Sequence, residues 1–179
     1  MKQTQLQQLV YIALAVALLI TLSQITIAIG PVPFTLQTLA VGLIASLFPW
    51  RLALSSVGLY LLLGGIGLPV FSGFSGGMTS LFVAPTAGFL WGFLTYALIT
   101  SLLTQRHTGL VQVFAANLLG VASCFILGVL FFKFNLGTSW SKTVALTCLP
   151  FLLPEICKIS LICLAQRSLQ PILKNKGWK

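Results

Sequence analysis

Leu149-Pro150-Phe151-Leu152-Leu153-Pro154-Glu155-Ile156-Cys157-Lys158 holds the only acidic residue of a 179-residue chain and sets a lysine three positions after it. Both charges lie inside an apolar run from about 144 to 164, long enough to cross a membrane. A charged side chain at the middle of such a run costs about 2.5 to 3.5 kcal/mol on insertion scales, so an offsetting contact is required. On a helix, positions three apart share a face, separated by about 4.5 Å along the axis. Glu155 and Lys158 are therefore expected to point together into the protein interior. Charge alone leaves two readings open, a ligand clamp and a mutual salt bridge.

Composition bounds what surrounds this pair. The chain is 58% hydrophobic and 6% charged, with a mean hydropathy of +1.04, which excludes a soluble globular domain and predicts a single integral membrane domain over 1–179. Membrane lipid is then the partner of its apolar surface. The formal net charge is +9, but the ten basic residues are dispersed between apolar runs and make no basic patch, so no nucleic-acid partner is expected. Cys124, Cys148, Cys157 and Cys163 fall in or beside apolar runs with no C-x-x-C pair and a single histidine elsewhere. They read as small packing residues, with no metal site and no cofactor. The apolar stretch from about 9 to 29 is too long for a signal-peptide core, so it reads as a first membrane helix.

Turn residues and charges divide the chain into six expected spans, at about 9–29, 36–49, 51–67, 85–104, 110–132 and 144–167. The fold class is an all-α membrane protein, a six-helix transmembrane bundle. The second and third spans are short and meet at Phe48-Pro49-Trp50-Arg51, a tight turn at the membrane surface. Lys2, Arg51, Arg106, Arg167, Lys174, Lys176 and Lys179 fall on one side, Lys133 and Lys142 on the other. By the positive-inside rule both termini are expected in the cytoplasm, in a multi-pass protein of the cytoplasmic membrane.

The two opposite loops that carry no charge are chemically unusual. Gly30-Pro31-Val32-Pro33-Phe34-Thr35 is stiffened by its prolines, and Thr35 is placed to cap the next helix. The stretch from Gly64 to Gly77 places six glycines around Pro69, Phe71 and Phe74, which lets backbone approach a ligand and two rings pack on an apolar body. Within the spans, Ala13-x-x-x-Ala17 and Gly88-x-x-x-Gly92 are small-residue surfaces for close helix approach. Gln24, Gln37, Thr38 and Asn117 add intramembrane polarity that serves interhelical hydrogen bonds or a ligand.

No catalytic constellation is present. His107 is the sole histidine, the chain has no Asp, and no G-x-x-x-x-G-K-[S/T] phosphate loop occurs, so the chain does not read as an enzyme and energised transport would need a partner. Two readings from other classes stand beside a binding protein: an intramembrane enzyme using Glu155 as a buried acid or base, and a purely structural membrane subunit.

Three ordered motifs carry a resemblance. Gly30-Pro31-Val32-Pro33-Phe34-Thr35-Leu36-Gln37-Thr38-Leu39-Ala40-Val41, then Gly67-Leu68-Pro69-Val70-Phe71 with Phe74-Ser75-Gly76-Gly77, then Pro85-Thr86-Ala87-Gly88-Phe89-Leu90-Trp91-Gly92-Phe93, resemble the BioY family in order and spacing. BioY proteins are the biotin-binding S components of energy-coupling factor (ECF) transporters. The resemblance implies an occluded vitamin pocket near the extracellular face, roofed by the first and third loops. It implies that Glu155 takes the ureido N–H groups of biotin and Lys158 the valerate carboxylate, with Phe71 and Phe74 against the apolar body. Phe34, Thr35, Gln37, Phe89 and Asn117 complete the implied ligand-contacting set. It further implies docking through Ala13 and Ala17 on a transmembrane coupling protein driven by two cytosolic ATPases. An S component for another small vitamin, such as lipoate, is the alternative. The sequence departs from the family pattern at Glu155, usually Asp, at Gly73, often Asn, at Phe89, commonly Tyr, and at Ala28, frequently Pro.

Overall fold

Proline, glycine and β-branched residues mark where the helices start and stop in the computed structural model, which describes residues 5–105 and 109–174, with side chains through 170. Lys2, Arg106, His107, Lys176, Lys179 and the side chain of Lys174 lie outside the described residues.

Helix α1 spans Gln5–Ser23 and stops short of the expected end near Ile29. The reason is local. Thr26–Ile27 (β1) leave the helix to pair antiparallel with Phe34–Thr35 (β2), Thr26 opposite Thr35 and Ile27 opposite Phe34. Branched side chains favour the extended backbone here, and Gly30, Pro31 and Pro33 turn the chain between the strands. Helix α2 (Gln37–Leu47) follows directly, with Leu36 as its N-cap. Thr35 acts one residue earlier than expected for a cap: its Oγ1 accepts from the Gln37 amide at 3.3 Å.

Pro49 separates α2 from α3 (Trp50–Gly65). At 11 and 16 residues these two helices rise about 16 and 24 Å, less than the roughly 30 Å of a hydrocarbon core. A short α4 (Met78–Phe82) follows the glycine-rich loop, then α5 (Ala87–Thr104) and α6 (Leu110–Leu136), whose end is set by Gly137 in the left-handed conformation, φ +62°. The expected sixth span is not continuous. It divides into α7 (Trp140–Thr147) and α8 (Leu152–Lys174) around a 3₁₀ turn at Leu149–Phe151. Pro150 lies inside that turn, where its missing N–H and ring forbid a regular helix, while Pro154 falls in the first turn of α8, where no N–H partner is needed. Among the described residues, α1, α5, α6 and the α7–α8 unit are long and apolar enough to cross a membrane.

Close helix contacts depend on small residues. A Cβ added at Gly92 would lie 2.9 Å from both the Cα and the carbonyl oxygen of Cys124, and one at Gly88 would lie 2.7 Å from the Leu127 oxygen. The Gly88–Gly92 stripe therefore sets α5 directly against α6. Asn117, a candidate ligand contact in the sequence, is instead consumed by helix packing. Its side chain accepts from Tyr96 Oη at 3.0 Å and donates to Ser46 Oγ and the Val113 carbonyl, both at 2.8 Å, joining α2, α5 and α6. In an apolar surround such a satisfied amide is stabilising and an unsatisfied one costs several kcal/mol, about 2–7.

Candidate functional site

The break at Pro150 decides where the chain's one carboxylate sits. By restarting the helix at Leu152 it puts Glu155 in the first turn of α8, where the helix dipole favours negative charge. Lys158 follows one turn later, and both residues are buried, at 6% and 5% exposure. Lys158 Nζ lies 2.6 Å from Glu155 Oε1. It also donates to the Thr35 carbonyl at 2.7 Å and to Thr38 Oγ1 at 2.9 Å, and it stands 4.4 Å from the centre of the Phe34 ring. Thr38 Oγ1 in turn donates to Glu155 Oε1 at 2.8 Å.

An ammonium has three N–H donors, and these three acceptors use them all. Glu155 Oε2 takes no hydrogen bond among the described residues. The site thus resolves, in this structure, as a salt bridge with one spare acceptor. Any ligand oxygen that reaches Lys158 has to replace an acceptor it already holds.

The pair faces a cavity of about 220 Å³. Three kinds of side chain line it: the polar cluster of Thr35, Gln37, Thr38, Glu155 and Lys158; the rings of Phe71, Phe89, Phe93, Phe125 and Phe151; and the hydroxyls of Ser72, Ser75, Ser80 and Thr86. Pro31, Val32 and Pro33 of the β1–β2 hairpin cover it, with Val32 buried beside Phe132 and Phe151. An amphipathic space of this kind suits a small molecule with a polar head and an apolar body.

The second cover, the loop from Val70 to Ser75, is fastened to the end of α1. Ser23 Oγ donates to the Val70 carbonyl at 2.7 Å, and Gln24 Nε2 reaches the Val70 and Phe71 carbonyls at 3.3 and 3.2 Å. Gln24 Oε1 accepts from the Phe74 amide at 3.0 Å. Tyr60 holds the same loop from α3, its hydroxyl on the Val70 carbonyl at 3.1 Å and its ring edge-on to Phe71.

Of the candidate site residues, Glu155, Lys158, Thr35, Gln37, Phe71 and Phe89 line the cavity, and Phe34 touches it through Lys158. Gln37 also donates to Tyr60 Oη at 2.7 Å, so it braces α2 against α3. Two candidates are elsewhere. Asn117 lies in the packing network described above, and Phe74 is 71% exposed, turned outward by consecutive left-handed residues, Gly73 at φ +67° and Phe74 at φ +56°. That geometry also accounts for Gly73, since glycine and asparagine are the residues that tolerate it best. Ala13 and Ala17 are exposed on α1, opposite its buried Ala15, Val16 and Leu19. Thr38 was visible in the sequence as buried polarity, but not as the bridge between the two charges. Phe93, Phe125 and Phe151 were missed as site residues; the spacing of Phe89 and Phe93, one helical turn apart, and the position of Phe151 four residues before Glu155 are the signals that mark two of them out. Among the described residues no three His, Cys, Asp or Glu side chains converge on a metal position.

Comparison with known proteins gives a consistent result. The profile described as the BioY family matches residues 1–175. The chain is 41% identical to Biotin transporter BioY2 of Lactococcus lactis subsp. cremoris over 90% of this chain and 89% of that one. It is 33% identical to Biotin transporter BioY of Thermotoga maritima, covering 86% of this chain and 90% of that one. Its fold matches the crystal structure of the S-component for biotin from an ECF-type ABC transporter with a TM-score of 0.88, at 26% identity and 95% coverage of each chain.

Proposed function

The chain belongs to the BioY family, and from that premise we infer how its cavity takes hold of biotin. The protein serves biotin uptake as the S component of an ECF transporter, and it is a transporter subunit, not an enzyme. One observation carries the site assignment: a buried Glu–Lys pair and a ring-lined space belong to the same cavity.

The geometry changes the expected pose. Head groups 2.6 Å apart cannot each take one end of biotin, because the ureido ring and the carboxylate are separated by the bicycle and the whole valerate chain. The ureido group alone offers both partners within one small head: N–H donors for Glu155 Oε2 and a carbonyl acceptor for Lys158. It is also neutral, so it adds no net charge beside a pair that is already balanced. In the proposed pose the thiophane lies among Phe71, Phe89 and Phe93, and the carboxylate points toward Ser72, Ser75, Ser80 and Thr86. Thr38, bonded to both charges, keeps them aligned when the ureido carbonyl takes the place of Glu155 on Lys158.

Six membrane-crossing helices with both termini in the cytoplasm complete the proposal, with Ala13 and Ala17 facing a transmembrane coupling protein driven by two cytosolic ATPases. The exposure of both alanines on α1 supports that face. Titration calorimetry on the purified protein tests the ligand. Biotin binds, and lipoate, which has a carboxylate and a sulfur ring but no ureido group, fails to displace it; displacement by lipoate at comparable concentration would sink the ureido assignment.

The loop fastening gives a separate expectation. Gln24→Ala removes three polar contacts to the Val70–Phe74 loop. At about 0.5–1.5 kcal/mol each, partly replaced by water, their loss speeds biotin dissociation by roughly tenfold in a radiolabel chase. An unchanged dissociation rate means that this loop is not the exit.

A further inference from the structure

We propose that the groove between α6 and α8 holds one acyl chain of an anionic phospholipid, whose phosphate sits at Lys133 and Lys142. The groove is separate from the biotin cavity, although Phe125 and Glu155 contribute to the wall between them. It has a volume of about 500 Å³ and is lined by Leu118, Ile126 and Leu130 of α6, Leu152 and Ile156 of α8, and Trp140 of α7. Five of these six are more than 40% exposed, so the groove opens on the outer surface of the bundle.

Three observations converge on this occupant. From Leu118 to Leu130 helix α6 rises about 18 Å, close to the roughly 15 Å depth of one leaflet of hydrocarbon. At the groove's end stands Trp140, a residue type that settles at the headgroup level, with Lys133 Nζ 5.6 Å from its ring centre. Lys142 is exposed two residues along the same helix. Finally, the sequence contains no acidic side chain except Glu155, which is paired with Lys158, so neither lysine has a carboxylate side chain to neutralise it. Counter-charge at this mouth has to come from outside the chain, and a phospholipid supplies it together with the apolar tail that the groove fits. The bound chain would cover the outer wall of the biotin cavity at Phe125 and Glu155.

Native mass spectrometry of the full chain in detergent, with equal phosphatidylglycerol and phosphatidylcholine added, tests this. The wild type retains phosphatidylglycerol about tenfold over phosphatidylcholine. Lys133→Gln with Lys142→Gln brings the two lipids level, and Ala122→Phe, which fills the groove, lowers retention of both. Equal retention by the wild type, or a preference unchanged in the lysine variant, overturns the proposal. A dimer formed in place of the lipid adduct assigns the groove to a second copy and overturns it too. None of the three residues lines the biotin cavity, so unaltered biotin binding in the same samples reports that each variant is folded. The lysine variant, changed only at the surface, carries the test if Ala122→Phe does not fold.

Discussion

Lys158→Ala weakens biotin binding by about 2 to 4 kcal/mol, or roughly 30- to 1,000-fold in calorimetry, and weakens binding of biotin methyl ester by the same factor. The size follows from burial. Lys158 is 5% exposed and bonded to Thr35, Thr38 and Glu155, so alanine removes a charge-assisted donor to the ligand and leaves the Glu155 carboxylate buried without its counter-ion. The ester decides which end of biotin is involved. Were Lys158 holding the carboxylate, the ester would already have lost that contact in the wild type, and the mutation would cost it little. Equal losses place the lysine at the ureido head, and a loss confined to the free acid would overturn the pose.

Substitutions at Glu155 follow the same reasoning. Glu155→Gln keeps an acceptor but gives up the charge assistance that roughly doubles such a bond and leaves the buried Lys158 without its counter-ion, so it too weakens biotin binding in calorimetry. The double variant Glu155→Leu with Lys158→Met separates binding from folding. Replacing a buried ion pair by apolar residues of similar volume is often neutral for stability, whereas breaking one costs about 3–5 kcal/mol. The double variant is therefore folded and blind to biotin.

The sequence exposed the charge pair because it is chemically singular: one acid in the whole chain, inside an apolar run, with a lysine on the same helical face. Long spans were legible for a related reason, since hydropathy accumulates over many residues. The β1–β2 hairpin was not, because two-residue strands have no period to read. Phe71 and Phe74, three apart, suggest a shared face only if the backbone between them is regular; two left-handed residues send Phe74 outward. Thr38 and Asn117 looked alike as polar residues in apolar spans. What separates them is a partner far along the chain, Glu155 for Thr38 and Ser46 for Asn117, and no local pattern encodes that pairing. Phe125 carries no distinguishing neighbours, and Phe151, although beside Pro150 and four residues before Glu155, lies in a 3₁₀ turn and not on the helix. Packing of α6 and the α7–α8 turn against the hairpin brings both to the cavity.

Glycine shows the same limit in energetic form, and it yields the largest expected effect on stability. Gly58 and Gly92 both lie inside apolar helices, yet a Cβ at Gly58 meets nothing within 4 Å while one at Gly92 meets Cys124 Cα and O at 2.9 Å and its Sγ at 2.8 Å. Backbone cannot swing aside as a side chain can, so Gly92→Leu forces α5 off α6. Overpacking by a methylene or two typically costs about 1–3 kcal/mol, and a leucine wedged against backbone about 3 kcal/mol or more. Gly58→Ala, by contrast, gains up to about 1 kcal/mol from reduced backbone entropy in the unfolded chain. Unfolding of the detergent-solubilised protein followed by circular dichroism measures both. Because Phe89 and Phe93 reach the cavity from the same helix, Gly92→Leu also loses biotin binding, in proportion to the displacement of α5. A Gly92→Leu protein as stable as the wild type would mean that α5 and α6 are not held at this distance, and with it would go the placement of both rings against the ligand.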